Sequence, residues 1–396
     1  MFYTVNAAIS FIMLIVLMIA LHSKKDKVLL FSILLFCVSF LSGVRTLRTI
    51  VQVNVPLILT ALIILACRKF KKVFKLSDSR VRDYDKNLTV YSFVMFFGAC
   101  SGYLFNELYF SKKYIYNQYS SIVGFLKFSI SRMLDSLSDL IACFGWHSDV
   151  IILSPEGISS ALGLVLGALV LLSIVLLFFR FSDRLSDEEY LLVLFTLVAV
   201  VLSCFAISHT TVCLPYHWVP IMPFCYLCLG IAIQHLSAEF QALRRSLYGM
   251  LVGLFAFMVS LNWLLIPLAT SDDFRDRQDL IAVVNELENR GYTQGMGTFW
   301  NNNVVTELTD GRVEMWAIRN ISTMEYYGWL QEISHTKLPE GQVFLILSGE
   351  EYEMLSDDVK PYVIFENDSY CALGFDEDDD YVSIVTDAYI GTQDKA

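Results

Sequence analysis

"SALGLVLGALVLLSIVLLFFR", residues 160–180, runs for 20 residues without a charged side chain before it reaches Arg180. About 20 mainly apolar residues are needed to cross the hydrocarbon core of a bilayer as a helix. The stretch therefore predicts a membrane-spanning helix. The rest of the chain agrees with this, because 55% of its 396 residues are hydrophobic and only 17% are charged. A soluble protein of this length cannot bury so much apolar surface.

Seven further apolar stretches predict an α-helical polytopic membrane bundle. The eight predicted spans are residues 2–22, 28–45, 48–67, 88–110, 160–180, 190–209, 213–235 and 247–270. The third contains Gln52, Asn54 and Pro56, and the seventh is interrupted by prolines, so we expect these two to line a cavity. Cys225 and Cys228 have CxxC spacing within the seventh span, where helix packing is favoured over redox or metal chemistry.

The basic residues between the spans predict the orientation of the bundle. If the first span runs from outside to inside, the loops on the inner side carry 15 lysines and arginines, and those on the outer side carry six. Cytoplasmic loops are the ones enriched in such residues. The sequence therefore predicts a multi-pass protein of the cell membrane whose N-terminus and C-terminal segment both lie outside the cytoplasm.

The charge is divided unevenly along the chain. Residues 271–396 carry 26 acidic and 8 basic residues, a net charge of −18, whereas residues 1–270 carry a net charge of +7. This predicts a membrane bundle over 1–270 and an acidic, solvated, extracytoplasmic domain over 271–396. An acidic outer domain does not favour nucleic acid as a partner. Whether Cys143 and Cys371, both outside the spans, form a disulfide is left open.

The C-terminal segment alternates between strand and helix patterns. The predicted strands are Met296–Trp300, Val313–Ile318, Val343–Leu347, Tyr362–Phe365 and Tyr370–Phe375, and the predicted helices are Leu280–Asn289, Val304–Leu308, Tyr326–Ile333 and Glu350–Leu355. This order indicates a small α/β domain with a largely parallel sheet. The run Asp376–Asp380 lacks the spacing of a calcium loop and is interpreted as a solvated acidic tail. No metal-ligand cluster or nucleotide-binding motif is present, and no cofactor is predicted.

Trp300, Asn301 and Asn302 occupy the first predicted strand-to-helix turn of this domain. Ligands often bind at the carboxyl ends of strands in α/β sheets, and tryptophan rings and asparagine amides suit sugar rings and their hydroxyl groups. The favoured alternative is that Asn301 to Asn303 cap the following helix. Sugar or acceptor binding by Trp300, Asn301 and Asn302 is kept as a hypothesis.

The long loop at 111–159 has an amphipathic pattern. Its apolar residues recur every three or four positions, at Ile122, Leu126, Ile130, Met133, Leu137, Leu140, Ile141 and Phe144, and its polar residues at Ser129, Arg132, Asp135, Ser136 and Asp139 fall mostly on the opposite face. This predicts a helix at the outer membrane interface. It is either a lid packed on the bundle or a helix that guides a lipid-borne substrate.

Two short outer stretches contain polar and charged side chains that could bind a ligand. Arg45 and Arg48 follow the second span, and Tyr216 and His217 precede most of the seventh. Arginine at a membrane boundary binds phosphate through a planar, charged fork, but it also extends to the interface without a specific ligand. His217 beside Tyr216 and Trp218 is also typical of an interfacial aromatic belt. Phosphate binding by Arg45, Arg48 and His217 is therefore one of two interpretations.

Three stretches resemble bacterial polytopic membrane glycosyltransferases of the GT-C architecture. "GTFWNNNVVTELTDGRVEMWAI", residues 297–318, resembles their C-terminal region, "LSGVRTLRTIVQVNVPLILTAL", residues 41–62, resembles their Gly-x-Arg span, and "LPYHWVPIMPF", residues 214–224, resembles a late proline-containing span. The resemblance implies transfer of a sugar from a polyprenyl-phosphate donor to a cell-envelope glycan at the outer face. It places Arg45 near the donor phosphate, and Tyr216 and His217 where members of the family often have an Arg-Tyr pair. We predict that Tyr216 binds the sugar or the acceptor.

The resemblance also implies a catalytic carboxylate in a first outer loop, which we do not expect within residues 1–396 because the first predicted span already runs from outside to inside. We expect the chain to correspond to the part of such an enzyme that follows this loop, and we assign no catalytic residue. Two other functions remain open. The first is a non-catalytic membrane scaffold that binds glycans through its outer domain. The second is a flippase or transporter, which is less favoured because the sequence shows no internal repeat.

Overall fold

The computed structural model describes residues 2–69, 80–115, 130–147, 150–151, 153–210, 214–239, 249–250, 253, 271–329 and 331–391. The chain divides into two compact units. The first comprises Met1–Leu108 and Ser120–Asn262, and the second comprises Tyr109–Tyr119 and Trp263–Ala396. The first unit is helical, and the second contains a small mixed sheet.

The first unit is helical, and most of its helices are long and apolar. They are α1 (Phe2–Leu21), α2 (Val28–Arg45), α3 (Leu47–Thr49), a π-helical turn (Ile50–Asn54), α4 (Val55–Lys69), α5 (Arg80–Tyr109), α6 (Ile130–Ala142), α7 (Pro155–Phe179), α8 (Asp187–Ser208) and α9 (Met222–Glu239). Within the described residues, five segments are long and apolar enough to cross a membrane: Val28–Arg45, Leu47–Cys67, Tyr84–Lys112, Gly157–Phe179 and Asp187–Ser208.

These five segments match the second to the sixth predicted spans. The first predicted span forms a shorter apolar helix, Val5–Leu21. The seventh begins later than predicted, because Pro215–Trp218 forms a 3-10 turn and the helix starts only at Met222. Nearly all of the eighth predicted span, 247–270, lies outside the described residues.

Helix α8 is the centre of the first unit. In its apolar window 61% of residues are buried within the protein, against 22% for α2. Its contacts include α4, α6, α7 and α9. The more peripheral helices expose apolar side chains such as Leu29, Ile33 and Phe97. An apolar surface of this kind is suited to contact with lipid.

Helix α6 lies within the predicted amphipathic loop, whose residues 116–129 are outside the described residues. Leu140 and Phe144 are buried as expected, but Ile130 is exposed. Ser136 was expected on the polar face and is instead fully buried, because α6 packs against α7, α8 and the 3-10 turn. This packing agrees with a lid on the bundle.

The second unit contains a five-stranded sheet in the order β3-β2-β5-β7-β6. The strands are β1 (Tyr114–Ile115), β2 (Gln294–Thr298), β3 (Glu314–Ile318), β4 (Gln331–Glu332), β5 (Val343–Ser348), β6 (Val363–Glu366) and β7 (Tyr370–Phe375), and the helices are α10 (Ser271–Asn289), α11 (Phe299–Leu308), α12 (Gly349–Tyr352) and α13 (Tyr381–Asp387). Strands β1 and β4 form a separate antiparallel pair. An α/β domain is therefore present where it was predicted.

Several details of this domain differ from the prediction. The sheet is mixed rather than largely parallel: β2 pairs in parallel with β3 and β5, whereas β7 pairs antiparallel with β5 and β6. The last two strands are joined by the short turn at Asn367–Ser369, and such a turn permits only antiparallel pairing. The predicted helix at Tyr326–Ile333 is wrong, because β4 occupies part of this segment. The run Asp376–Asp380 is mostly exposed, as predicted, but it is not a tail, because Asp380 caps α13.

Both faces of the sheet are covered, which explains the alternating burial of β5. Val343, Leu345 and Leu347 pack on one side with residues of α13. Phe344 and Ile346 pack on the other side with residues of α10 and α11. Helix α10 ends as predicted before Gly291, whose φ of 83° is a conformation that glycine adopts without steric cost.

Candidate functional site

The stretch that contains Arg45 is held by a close contact between α2 and α5. A Cβ atom at Gly43 would overlap the carbonyl group of Ala99 on α5, so only glycine permits this approach. Small residues at such crossings let helix backbones approach closely in membranes. Just beyond, the side-chain amide of Asn106 donates to the carbonyl of Val44. These contacts fix the end of α2, where Arg45 stands half-buried on the last turn.

The helix is interrupted after Arg45, and the chain returns into the bundle through an irregular turn. Thr46 is extended, and its hydroxyl accepts a hydrogen bond from the backbone N–H of Arg48 at 3.2 Å. The turn that follows, Ile50–Asn54, is π-helical, with the N–H of Val55 bonded to the carbonyl of Ile50. Pro56 has no N–H to continue the α-helical pattern here. Such π-turns interrupt helices frequently at functional sites.

This irregular turn meets the 3-10 turn Pro215–Trp218. Arg48 Nη2 lies 3.2 Å from His217 Nε2. Gln52 Nε2 donates to the backbone carbonyl of His217 at 2.8 Å. The rings of Tyr216 and His217 are 4.8 Å apart and nearly perpendicular. We call Arg48, Gln52, Tyr216 and His217 the arginine–histidine cluster.

The cluster combines one permanent charge with a neutral imidazole. Burial, followed by the nearby charge of Arg48, lowers the pKa of His217 to about 4. His217 is therefore neutral at physiological pH, and its Nε2 accepts the hydrogen bond from Arg48. With Nε2 acting as the acceptor, Nδ1 carries the proton and is a donor. The cluster therefore presents a positive guanidinium and a neutral donor to an anion.

Helix α6 packs beside the same turn and brings a carboxylate with it. Arg132 Nη2 donates to the carbonyl of Thr210 at 2.7 Å, and Cys143 Sγ donates to the carbonyl of Pro215 at 2.7 Å. Asp139 lies between them on α6. Burial, and secondarily the charge of Asp135, raises the pKa of Asp139. Among the described residues, its buried Oδ2 atom has no hydrogen-bond partner.

Burial dominates the chemistry of the neighbouring thiol as well. It raises the pKa of Cys143 to about 12, and the charge of Asp139 adds to the effect. Cys143 is therefore a protonated donor, not a nucleophile, at physiological pH. Both Cys143 and Cys371 are free thiols in the structure, which answers the question of pairing that the sequence left open.

The structure thus brings together three of the residues predicted for donor and sugar binding, Arg48, Tyr216 and His217. Gln52 was noted only as a polar residue of a span expected to line a cavity, yet its amide donates to the backbone of His217. Asp139 was placed only on the polar face of a helix. The spacing of Asp135 and Asp139 by one helical turn was the only sequence pattern that could have drawn attention to Asp139. Nothing in the sequence places α6 beside the 3-10 turn.

The predicted sugar-binding residues of the second unit have a different arrangement. Helix α11 begins at Phe299 directly after β2, with Thr298 as its N-cap. Asn301, Asn302 and Asn303 therefore lie within the helix, and the predicted asparagine cap is wrong. Asn301 is half-buried, Asn302 is fully buried, and the side chain of Trp300 lies outside the described residues.

An aromatic cluster occupies the same edge of the sheet. The ring of Phe299 stacks on Trp329 with centroids 4.4 Å apart and meets Tyr327 edge-on at 5.6 Å. These residues follow the carboxyl ends of β2 and β3. The loop that supplies Tyr327 and Trp329 contains Met324 at a φ of 51°, which is a rare conformation for a side-chain-bearing residue. No pattern in the sequence indicates this cluster.

Compared with known protein families, with curated proteins and with solved structures, the chain matches none. Any functional conclusion therefore depends on the chemistry of the arginine–histidine cluster with α6, and of the aromatic cluster.

Proposed function

We propose that the chain is a membrane glycosyltransferase-like protein that binds the phosphate of a polyprenyl-linked sugar at the arginine–histidine cluster. The observation that supports this most strongly is the contact of Arg48 with the neutral His217, at the end of helices suited to cross a membrane. A polyprenyl-phosphate donor has the matching parts, an apolar tail for the lipid phase and a phosphate at its boundary. In the proposed orientation the cluster and the C-terminal domain both lie outside the cytoplasm.

The chemistry of the cluster supports phosphate recognition. Arginine forms paired, charge-assisted hydrogen bonds with phosphate oxygens. The lipid phosphate carries one negative charge in the sugar diester and gains a second as it leaves, so it needs further donors. His217 Nδ1–H provides one without placing a second positive charge beside Arg48. Arg45, three residues earlier, adds another guanidinium at the same helix end. Tyr216 would lie against the sugar.

In the proposed reaction the candidate base is Asp139. Its carboxylate takes the proton of the acceptor hydroxyl, and the acceptor oxygen then attacks the anomeric carbon. The bond from that carbon to the phosphate oxygen breaks, and the lipid phosphate leaves with the electron pair, stabilised by Arg48. A raised pKa makes the Asp139 carboxylate a better base at neutral pH than an ordinary aspartate. The anomeric configuration would be inverted.

Binding of a polyprenyl phosphate to the purified full chain in nanodiscs tests the first part of this proposal. Arg48→Gln should weaken binding about 10- to 100-fold, because one charged hydrogen-bond donor is lost. Arg48→Lys should be intermediate, since it keeps the charge but not the fork. Arg180→Gln is the matched control, because Arg180 lies on a different loop and pairs with Glu239. Equal affinity of Arg48→Gln and wild type would show that the phosphate does not bind at the cluster.

Sugar transfer is tested separately with a polyprenyl-phosphoryl sugar and cell-envelope acceptors. Asp139→Asn should abolish product formation while the affinity for polyprenyl phosphate stays unchanged. If the wild-type chain binds the lipid phosphate but forms no product, glycosyl transfer is wrong and the binding function stands. If Asp139→Asn remains active, a different group is the base.

A non-catalytic glycan-binding function is the second candidate, and the aromatic cluster of Phe299, Tyr327 and Trp329 favours it. Aromatic rings offer apolar faces that suit the apolar faces of sugar rings, and the cluster lies at the strand ends where α/β domains often bind ligands. Binding of cell-envelope glycans by the full chain should be lost in Trp329→Ala. It should persist in Arg48→Gln, which separates this function from donor binding. Retained glycan binding in Trp329→Ala would exclude the aromatic cluster.

A further inference from the structure

A cavity of about 680 Å³ lies at the other end of α2 from the arginine–histidine cluster. It is lined by Met18, Ile19, His22, Ser23, Lys24, Asp26, Lys27 and Phe31. These residues belong to the end of α1, the start of α2 and the short connection between them. The connection joins two apolar helices, so the cavity lies where the apolar part of the bundle ends.

The polar part of the lining is positively charged. Lys24 and Lys27 are exposed at the cavity, and Asp26 is the one acidic residue among those that line it. His22 Nδ1 lies 2.8 Å from the carbonyl of Met18, and its Nε2 lies 2.7 Å from Glu188 Oε1. Both partners are acceptors, so the imidazolium form satisfies both contacts. The backbone carbonyl of Met18, and then Glu188, raises the pKa of His22.

The groups packed near His22 include a carboxylate that pairs with it. Glu188, from the start of α8, is the carboxylate paired with it, and the ring of Tyr84 on α5 lies edge-on at 6.5 Å between centroids. Glu188 is not among the residues that line the cavity. Because Glu188 offsets the charge of a protonated His22, the net positive charge of the lining comes from Lys24 and Lys27 against Asp26.

The apolar part of the lining continues into a lipid-facing stripe. Met18, Ile19 and Phe31 form the apolar wall. Ile19 is exposed, and so are Ile15 and Ile12, which lie four and seven residues earlier on the same face of α1. A molecule held at the cationic groups would thus have an apolar surface beside it, along the helix and toward the membrane interior.

We propose that this cavity is a binding site for the headgroup of an anionic phospholipid, with one acyl chain lying along the stripe of Ile12, Ile15 and Ile19. The site would bind the phosphate through Lys24 and Lys27. Clusters of basic residues beside membrane helices attract anionic headgroups electrostatically. The apolar wall favours a lipid over free phosphate, because free phosphate has no apolar part to contact it.

Retention of lipid by the purified full chain, followed by native mass spectrometry, tests this proposal. The wild type should retain phosphatidylglycerol in preference to phosphatidylcholine. Lys24→Gln/Lys27→Gln should reduce this preference roughly 25-fold, because each lysine near the surface contributes about 1 kcal/mol to attraction of anionic lipid. The conservative pair Lys24→Arg/Lys27→Arg should keep it. Both lysines are exposed, so these changes leave the packed core intact.

Arg180→Gln/Arg184→Gln is the matched control, since it also removes two exposed basic residues from a connection between apolar helices. These arginines already pair with Glu239, and the control should keep the wild-type preference. An equal loss in the control would show general surface attraction and overturn the proposal, as would a preserved preference in the lysine variant. Displacement of phosphatidylglycerol by inorganic phosphate alone would show that the apolar stripe contributes nothing, and the lipid assignment would then be wrong.

Discussion

The contact of α2 with α5 at Gly43 yields the sharpest structural prediction. An ideal Cβ at this position would lie 2.7 Å from the carbonyl carbon of Ala99 and 2.8 Å from its Cα, and would overlap the carbonyl oxygen. The obstacle is backbone, not a flexible side chain, so Gly43→Ala can be accommodated only if α2 and α5 move apart. Such overpacking costs about 1–3 kcal/mol. For a unit of this size each kcal/mol lowers the melting temperature by about 2–4 °C.

The matched control is the same substitution at Gly230. Gly230 lies within α9, is exposed, and has no atom within 4 Å of an added Cβ. Gly230→Ala should leave the melting temperature unchanged or raise it slightly, because alanine favours the helix by up to about 1 kcal/mol. Gly43→Ala should lower it by about 2–12 °C. It should also weaken polyprenyl-phosphate binding, since the end of α2 carries Arg45.

Thermal unfolding of the full chain in detergent, followed by intrinsic fluorescence, measures these effects. If Gly43→Ala and Gly230→Ala melt at the same temperature, the close approach of α2 and α5 is wrong. If Gly43→Ala is destabilised but binds polyprenyl phosphate normally, the contact is structural only and does not position the arginines.

The remaining predictions concern other parts of the molecule. The pKa of His22 is raised in the folded protein. Its pairing with Glu188 therefore stabilises the fold fully below the unfolded pKa of about 6.5, and this stabilisation is lost as the pH rises through the folded pKa. The difference in melting temperature between wild type and His22→Gln should therefore decrease slightly between about pH 6 and about pH 8. The decrease should correspond to less than about 1 kcal/mol, because the pair is so exposed. A difference that does not change with pH would contradict the pairing. Phe344→Ala removes a fully buried ring from the sheet and should destabilise the full chain by about 3–5 kcal/mol, measured by denaturant unfolding, and a loss below about 1 kcal/mol would contradict its burial. Cys143 and Cys371 should each react with a maleimide after unfolding without prior reduction, and protection of both would indicate a disulfide that the structure does not contain.

The architecture of each unit followed from local patterns, and the exceptions have a physical cause. Residues 160–180 formed a helix as predicted because a long apolar run in lipid has no other way to satisfy its backbone groups. Gly291 ended its helix because a positive φ is a local property. The asparagines at 301–303 do not cap the helix, because the helix begins earlier, at Phe299, and Thr298 at the end of β2 is its N-cap residue. The mixed sheet was missed because pairing direction depends on a chain reversal after β6.

The sequence by itself determined the membrane character, the division of charge and the presence of a separate α/β domain. Each of these follows from composition and short-range periodicity, which do not depend on distant residues. Only the tertiary structure decided which polar residues meet. Arg48 and His217 are separated by 169 positions and His22 and Glu188 by 166, and their contact results from helix packing. Helix packing depends on the shape of whole surfaces, including a single glycine at Gly43, and no local pattern encodes it.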